Sequence, residues 1–116
     1  MEISAALHER FVPRLWGNEQ KPAEEQIVIE LEHLTAREMA EYEYTLNDNG
    51  IYRKMYDYNR IAKKIFSITN FTVGKEMIDT AEKLLAAKSR KASELLKEII
   101  YHLFYEEPAE EESKNS

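Results

Sequence analysis

Residues 51–67 read IYRKMYDYNRIAKKIFS, and the fold class turns on the period assigned to them. Ile51, Met55, Tyr58, Ala62 and Ile65 recur every three or four positions, with Ile61 and Phe66 beside them. That spacing gathers apolar side chains on one stripe of an α-helix. Arg53, Arg60 and Lys64, at i, i+7 and i+11, fall on the opposite side. Asp57 interrupts this basic row, and Tyr52, Tyr56 and Lys63 flank it. The stretch predicts a helix over residues 51–67. A basic row interleaved with tyrosines suits phosphates and bases, or acidic protein segments. The plainer reading is a solvated face with local pairs such as Arg53–Asp57 and Asp57–Arg60.

Working back from there, Asn47-Asp-Asn-Gly50 reads as a helix stop, since Asn and Gly tolerate positive φ. The helix it ends begins at Thr35-Ala-Arg-Glu38, a capping-box pattern, and runs over residues 35–46 with Met39, Tyr42 and Leu46 on one face. Residues 26–32, QIVIELE, alternate Ile27, Ile29 and Leu31 against Glu30 and Glu32, which predicts a strand. A strand needs a mate for its backbone groups. The candidates are residues 10–15, folded back in a hairpin across residues 17–22, or a strand of another copy. Residues 1–25 otherwise read as an arm with no sustained period. Their large apolar residues Phe11, Leu15 and Trp16 either pack on the chain's own core or anchor in a partner, where Trp is a frequent hot spot.

Working forward, residues 68–78 form a connector broken at Asn70 and Gly74. Asp79-Thr-Ala-Glu82 offers a second capping box, with Asp79 as the cap, for a helix ending near residue 87. Ser89 caps a last helix whose Ala92, Leu95, Leu96, Ile99, Ile100, Leu103 and Phe104 form a wide apolar stripe. Residues 106–116 are rich in Glu and read as a disordered acidic tail. The expected fold is mainly α (α+β). It has about four helices and a short N-terminal strand or hairpin, organised as an arm (1–25), one helical domain (26–105) and a tail (106–116).

The 116 residues suit one domain, and a hydrophobic content of 43% supports a modest core. The absence of cysteine excludes thiol chemistry and cysteine metal sites. No apolar run reaches the roughly 18–20 residues that span a bilayer, and no secretory leader pattern opens the chain. A cytosolic protein with no membrane association is expected. Charge is segregated: residues 1–50 sum to 4 − 11 = −7, residues 51–97 to 11 − 5 = +6 and residues 98–116 to 1 − 6 = −5, for a net −6. An acidic balance weighs against general nucleic-acid binding.

The sequence offers little chemistry. His8, His33 and His102 match no metal or catalytic spacing and read as structural or exposed. Carboxylate pairs arise by composition among 22 acidic residues. No phosphate-binding, nucleophile-elbow or calcium-loop motif is present. No enzymatic activity, cofactor or metal is expected.

The run from Phe11 to Asn18 (FVPRLWGN), the run from Glu24 to Ile29 (EEQIVI), the strand-then-Leu34-Thr35-Ala36-x-Glu38 opening and the ending Glu-Glu-Ser-Lys-Asn-Ser116 resemble small proteins of tailed bacteriophages and prophages. Among these the chain is most similar to the tail assembly chaperones of long-tailed phages. The resemblance implies a non-enzymatic protein of the host bacterial cytoplasm. Such a protein coats the long helical tape measure protein, helps recruit tail tube subunits and is absent from the finished virion; the segregated charge of this chain would also permit a head-to-tail homo-oligomer. It also implies a longer form made by a −1 ribosomal frameshift, for which Ser113-Lys114-Asn115 is a permissible site. Alternatives are a structural head–tail connector or tail component, and a small nucleic-acid-binding regulator using residues 51–67. The residues expected to bind partners are Phe11, Leu15, Trp16, Arg53, Arg60 and Lys64.

Overall fold

The structure, a computed structural model, describes residues 8–107. Residues 1–7 of the expected arm and 108–116 of the expected tail lie outside the described residues. The expectation of a mainly α protein is overturned, because the described chain contains seven strands in three sheets.

The central sheet has three antiparallel strands in the order β1 (His8–Phe11), β2 (Val28–Glu32), β5 (Ile65–Thr69). β2 fits the alternation read from its sequence: Ile29 and Leu31 are fully buried while Glu30 points outward. Its mate is the arm, with Phe11 opposite Ile29 and Glu9 opposite Leu31. On its other side the register slips between Glu30 and Leu31. This bulge lets Ile65 and Ile68, three residues apart, both turn into the core.

Helix α1 (Ala36–Tyr42) begins with the capping box as read: Glu38 N–H donates to Thr35 Oγ1 at 3.1 Å and Thr35 N–H donates to Glu38 Oε1 at 2.9 Å. It ends at Tyr42, short of the expected residue 46. The chain then runs extended through β3 (Glu43–Asp48), turns, and returns as β4 (Ile51–Tyr56). Asn49 and Gly50 have φ of 53° and 86°, the pair of left-handed residues that a two-residue type I′ hairpin turn requires. The Asn47 side chain accepts from Gly50 N–H at 3.1 Å and completes the turn. The stretch expected as one helix over residues 51–67 is therefore β4, a short helix α2 (Tyr58–Ala62) and β5. Ile51 and Tyr58, assigned to a buried stripe, are exposed, and it is Ile61, Ile65 and Ile68 that enter the core. Their i, i+4, i+7 spacing imitates a helix because α2 and the bulged strand share it.

The connector over residues 68–78 forms a small hairpin of β6 (Thr72–Val73) and β7 (Glu76–Met77), with Gly74 at φ 62° in its turn. Helix α3 (Ala81–Ala86) is capped by Thr80 rather than Asp79, and Asp79 instead pairs with Lys83 at 3.0 Å. Ser89 caps α4 (Arg90–Tyr105), whose Ala92, Leu95, Ile99, Ile100 and Leu103 are buried as their spacing predicts. This side of α4 joins the inward side chains of the central sheet, Phe71, Ile78 and Leu84 in one core. Glu106, expected in a disordered tail, is ordered as the C-cap of α4. No helix among the described residues is long and apolar enough to cross a membrane.

Candidate docking site between the arm and the last helix

After β1 the chain leaves the sheet through buried Pro13 and enters a tight 3-10 turn, Leu15–Gln20. Trp16 and Gly17 both sit in the left-handed region, at φ 57° and 67°. Gly adopts this readily, whereas a bulky L-residue does so under strain. Asn18 holds the turn in place. Its fully buried amide donates from Nδ2 to the Pro13 carbonyl (2.8 Å) and the Ile27 carbonyl (3.0 Å), and Oδ1 accepts from Ile27 N–H (2.7 Å). A short side chain thus replaces ladder bonds where the arm bends away from β2.

Trp16 is the residue this clamp presents. It remains 39% exposed. The indole stacks nearly parallel to Phe71 with centroids 6.0 Å apart, and Lys91 Nζ lies 5.2 Å from the indole and 5.5 Å from the Phe71 ring. Beside it, half-buried Leu15 lines a shallow depression together with Arg14, Glu94, Lys97, Glu98 and Tyr101. The depression has an apolar floor and a rim of both charges, the layout of a protein-binding patch.

An ionic array on the neighbouring face fixes the arm against α4. Arg14 N–H donates to Glu98 at 2.8 Å, and its guanidinium pairs with Glu106 at 2.6 Å. Glu106 Oε1 lies 2.8 Å from His102 Nδ1, and His102 Nε2 lies 2.7 Å from Glu9 Oε2 on β1. Glu9 and His102 are both only 6% exposed, and the imidazole stacks on Phe11 at 4.1 Å. Burial disfavours an imidazolium here, yet hydrogen bonds to Glu9 and Glu106 and their charges hold the His102 pKa above its ordinary value. Glu106 is held below the usual carboxylate range by its hydrogen bond to His102, against burial, with help from Arg14.

Glu9, His33 and His102 each bring a possible ligand atom within 4.8 Å of the others. The hydrogen bonds argue against a cation at this point. Leu34 N–H donates to His33 Nδ1 at 3.0 Å, which assigns the ring hydrogen to Nε2, and Nε2 donates to the Glu106 carbonyl at 3.0 Å. A metal needs a lone pair on that nitrogen. With His102 engaged at both nitrogens as well, the cluster is arranged to hold protons and to tie three chain segments together.

The expected partner-binding residues do not share one surface. Phe11 is buried in the core, Leu15 is half-buried and Trp16 is exposed. Arg53 lies exposed on β4. Arg60 lies on α2, 3.1 Å from Asp57 and 3.7 Å from Glu41, with its guanidinium 5.4 Å from the Tyr42 ring. Lys64 is mostly buried, 2.6 Å from Glu38 and 3.8 Å from Glu32. The basic row thus belonged to a helix that does not exist, and its members are divided among a strand, a helix and a connector. Sequence reasoning missed Asn18 as the clamp and Glu9–His102 as the tie; partners 93 residues apart leave no spacing signal. Comparison with protein-family models, with curated proteins and with solved structures finds no match for this chain.

Proposed function

We propose that this chain is a non-enzymatic bacteriophage tail assembly chaperone of the host cytoplasm. It receives helical segments of the tape measure protein on the Trp16–Leu15 surface and helps bring tail tube subunits to them. The observation that supports this reading is the presentation of Trp16. A bulky indole is left partly exposed at the edge of the core by a strained turn, and a fully buried amide holds that turn. Backbone strain of this kind persists where function selects it. The adjacent depression between Leu15 and Tyr101 offers an apolar seat beside α4 for an amphipathic helix.

Trp16→Ala is the test. Loss of a central aromatic anchor weakens binding by about 2 kcal/mol, roughly 30-fold in Kd. The variant's stability falls by about 1 kcal/mol or less, because the indole is only partly packed. Affinity for the tape measure protein of the phage or prophage that encodes the chain is measured alongside thermal unfolding. A sharp fall in Tm with binding intact would make Trp16 a core residue and remove the reading. Recovery of the chain from purified virions in symmetric copy number would turn it into a structural tail component.

A further inference from the structure

The β3–β4 hairpin carries two unlike faces. Its register pairs Glu43 with Tyr56, Thr45 with Lys54 and Asn47 with Tyr52 on one side. At its base that side meets the end of α4: the Tyr105 hydroxyl lies 3.0 Å from the Tyr56 hydroxyl, 3.2 Å from Lys54 Nζ and 3.3 Å from Glu43. The other side pairs Tyr44 with Met55, Leu46 with Arg53 and Asp48 with Ile51. It is apolar and exposed, with Tyr44 46%, Leu46 47% and Ile51 62% accessible. Two-stranded ribbons are marginal in water, so a hairpin of two six-residue strands with an apolar outer face calls for a cover.

We propose that the cover is a second copy of this chain, packed hairpin on hairpin about a two-fold axis. A two-fold contact uses one patch twice, so the patch must complement itself. This one does. Asp48 and Arg53 are diagonal neighbours on the same face, and stacking two such faces about a two-fold axis along the strands sets Tyr44 over Met55 and Asp48 over Ile51, with each Arg53 diagonal to the other copy's Asp48. The patch is small, roughly 20 Å by 10 Å from strand length and spacing. At about 400 Å² for the two copies together it lies below the roughly 1,200 Å² of stable specific interfaces, so the association is weak and concentration-dependent. It uses residues apart from the Trp16 surface and stands independently of the chaperone reading.

Charge reversal tests it with the full chain. Sedimentation velocity from about 10 μM to 1 mM is expected to show a reversible monomer–dimer equilibrium. Arg53→Asp and Asp48→Arg each place like charges across the axis and are expected to weaken self-association at least about 10-fold. Mixed in equal amounts, the two variants restore opposite charges and form a heterodimer, seen by native mass spectrometry. Unchanged circular dichroism confirms that both fold. A wild-type chain that is monomeric at every concentration overturns the inference. So do single variants that associate like wild type, or a mixture that stays monomeric. Protection of Tyr44 and Ile51 by tape measure protein in a chain that never dimerises also overturns it, giving this face to a different partner.

Discussion

His102→Ala is expected to destabilise the fold by about 3–5 kcal/mol near pH 6, since it removes one member of a buried ion pair. Glu9, almost wholly buried on β1, would lose the cation 2.7 Å away, and Phe11 would lose the ring stacked on it. For a domain of this size the loss lowers Tm by more than about 12 °C. A double variant, Glu9→Leu with His102→Leu, removes both charges and is expected to be less destabilised than His102→Ala alone. An effect of His102→Ala below about 1 kcal/mol, or a double variant that is worse, would deny the array this role. The same histidine sets a pH signature. Its pKa is raised from the ordinary 6.5 in the folded chain by Glu9 and Glu106 against the opposing effect of burial. His33 packs edge-on, and Arg14 balances Glu106 from the arm. The stabilisation is therefore complete below about pH 6.5, where both folded and unfolded chains carry the proton. It is lost as pH rises through the folded pKa. Glu106 acts in the opposite sense: its lowered pKa gives a contribution present above about 4.5 and lost in acid. Urea midpoints measured from pH 4 to 9 should peak between these limits, and His102→Gln should flatten the neutral-to-alkaline decline.

Asn18→Ala comes next in size, at about 2–4 kcal/mol. Three hydrogen bonds disappear, and the Ile27 N–H, the Ile27 carbonyl and the Pro13 carbonyl lose partners in a buried place. The change also releases the turn that displays Trp16. Trp16 is the single tryptophan of the chain, so its emission reports the turn directly. Guanidinium unfolding followed by fluorescence should show a lower midpoint together with an altered native-state spectrum. A lowered midpoint with an unchanged native spectrum would mean that something other than Asn18 positions the indole.

The local devices of this fold were legible where short-range rules govern them. The Thr35–Glu38 box, the Ile29/Leu31 alternation and the stripe from Ala92 to Leu103 act within a few residues, and each appears as read. The error over residues 51–67 has one physical source. Asn49-Gly50 reads as the end of a helix, yet between Tyr44–Leu46 and Ile51–Tyr52 it is a hairpin turn. Taking it that way would have converted half of the supposed helix into β4. The rest stayed hidden because the bulge opposite Glu30 gives β5 a spacing of three, and no local pattern announces a bulge. Of the candidate site, Leu15 and Trp16 were accessible as large apolar residues in an irregular segment. The clamp that displays them depends on Ile27, and the tie behind them on His102, so both required the tertiary fold.

That tie has a consequence for the nascent chain. Glu9 emerges from the ribosome 93 residues ahead of His102. At roughly 5–20 residues per second it waits on the order of 5–20 s for its counterion, while the β3–β4 hairpin needs only microseconds to close once synthesised. Throughout that interval β1 carries an inward-pointing carboxylate without the imidazole that packs against it in the folded chain. An inward-pointing charge on an edge strand deters pairing with the wrong neighbour. The imidazole that packs against Glu9 belongs to α4, the last helix of the described chain, so this contact is among the last that the fold can make.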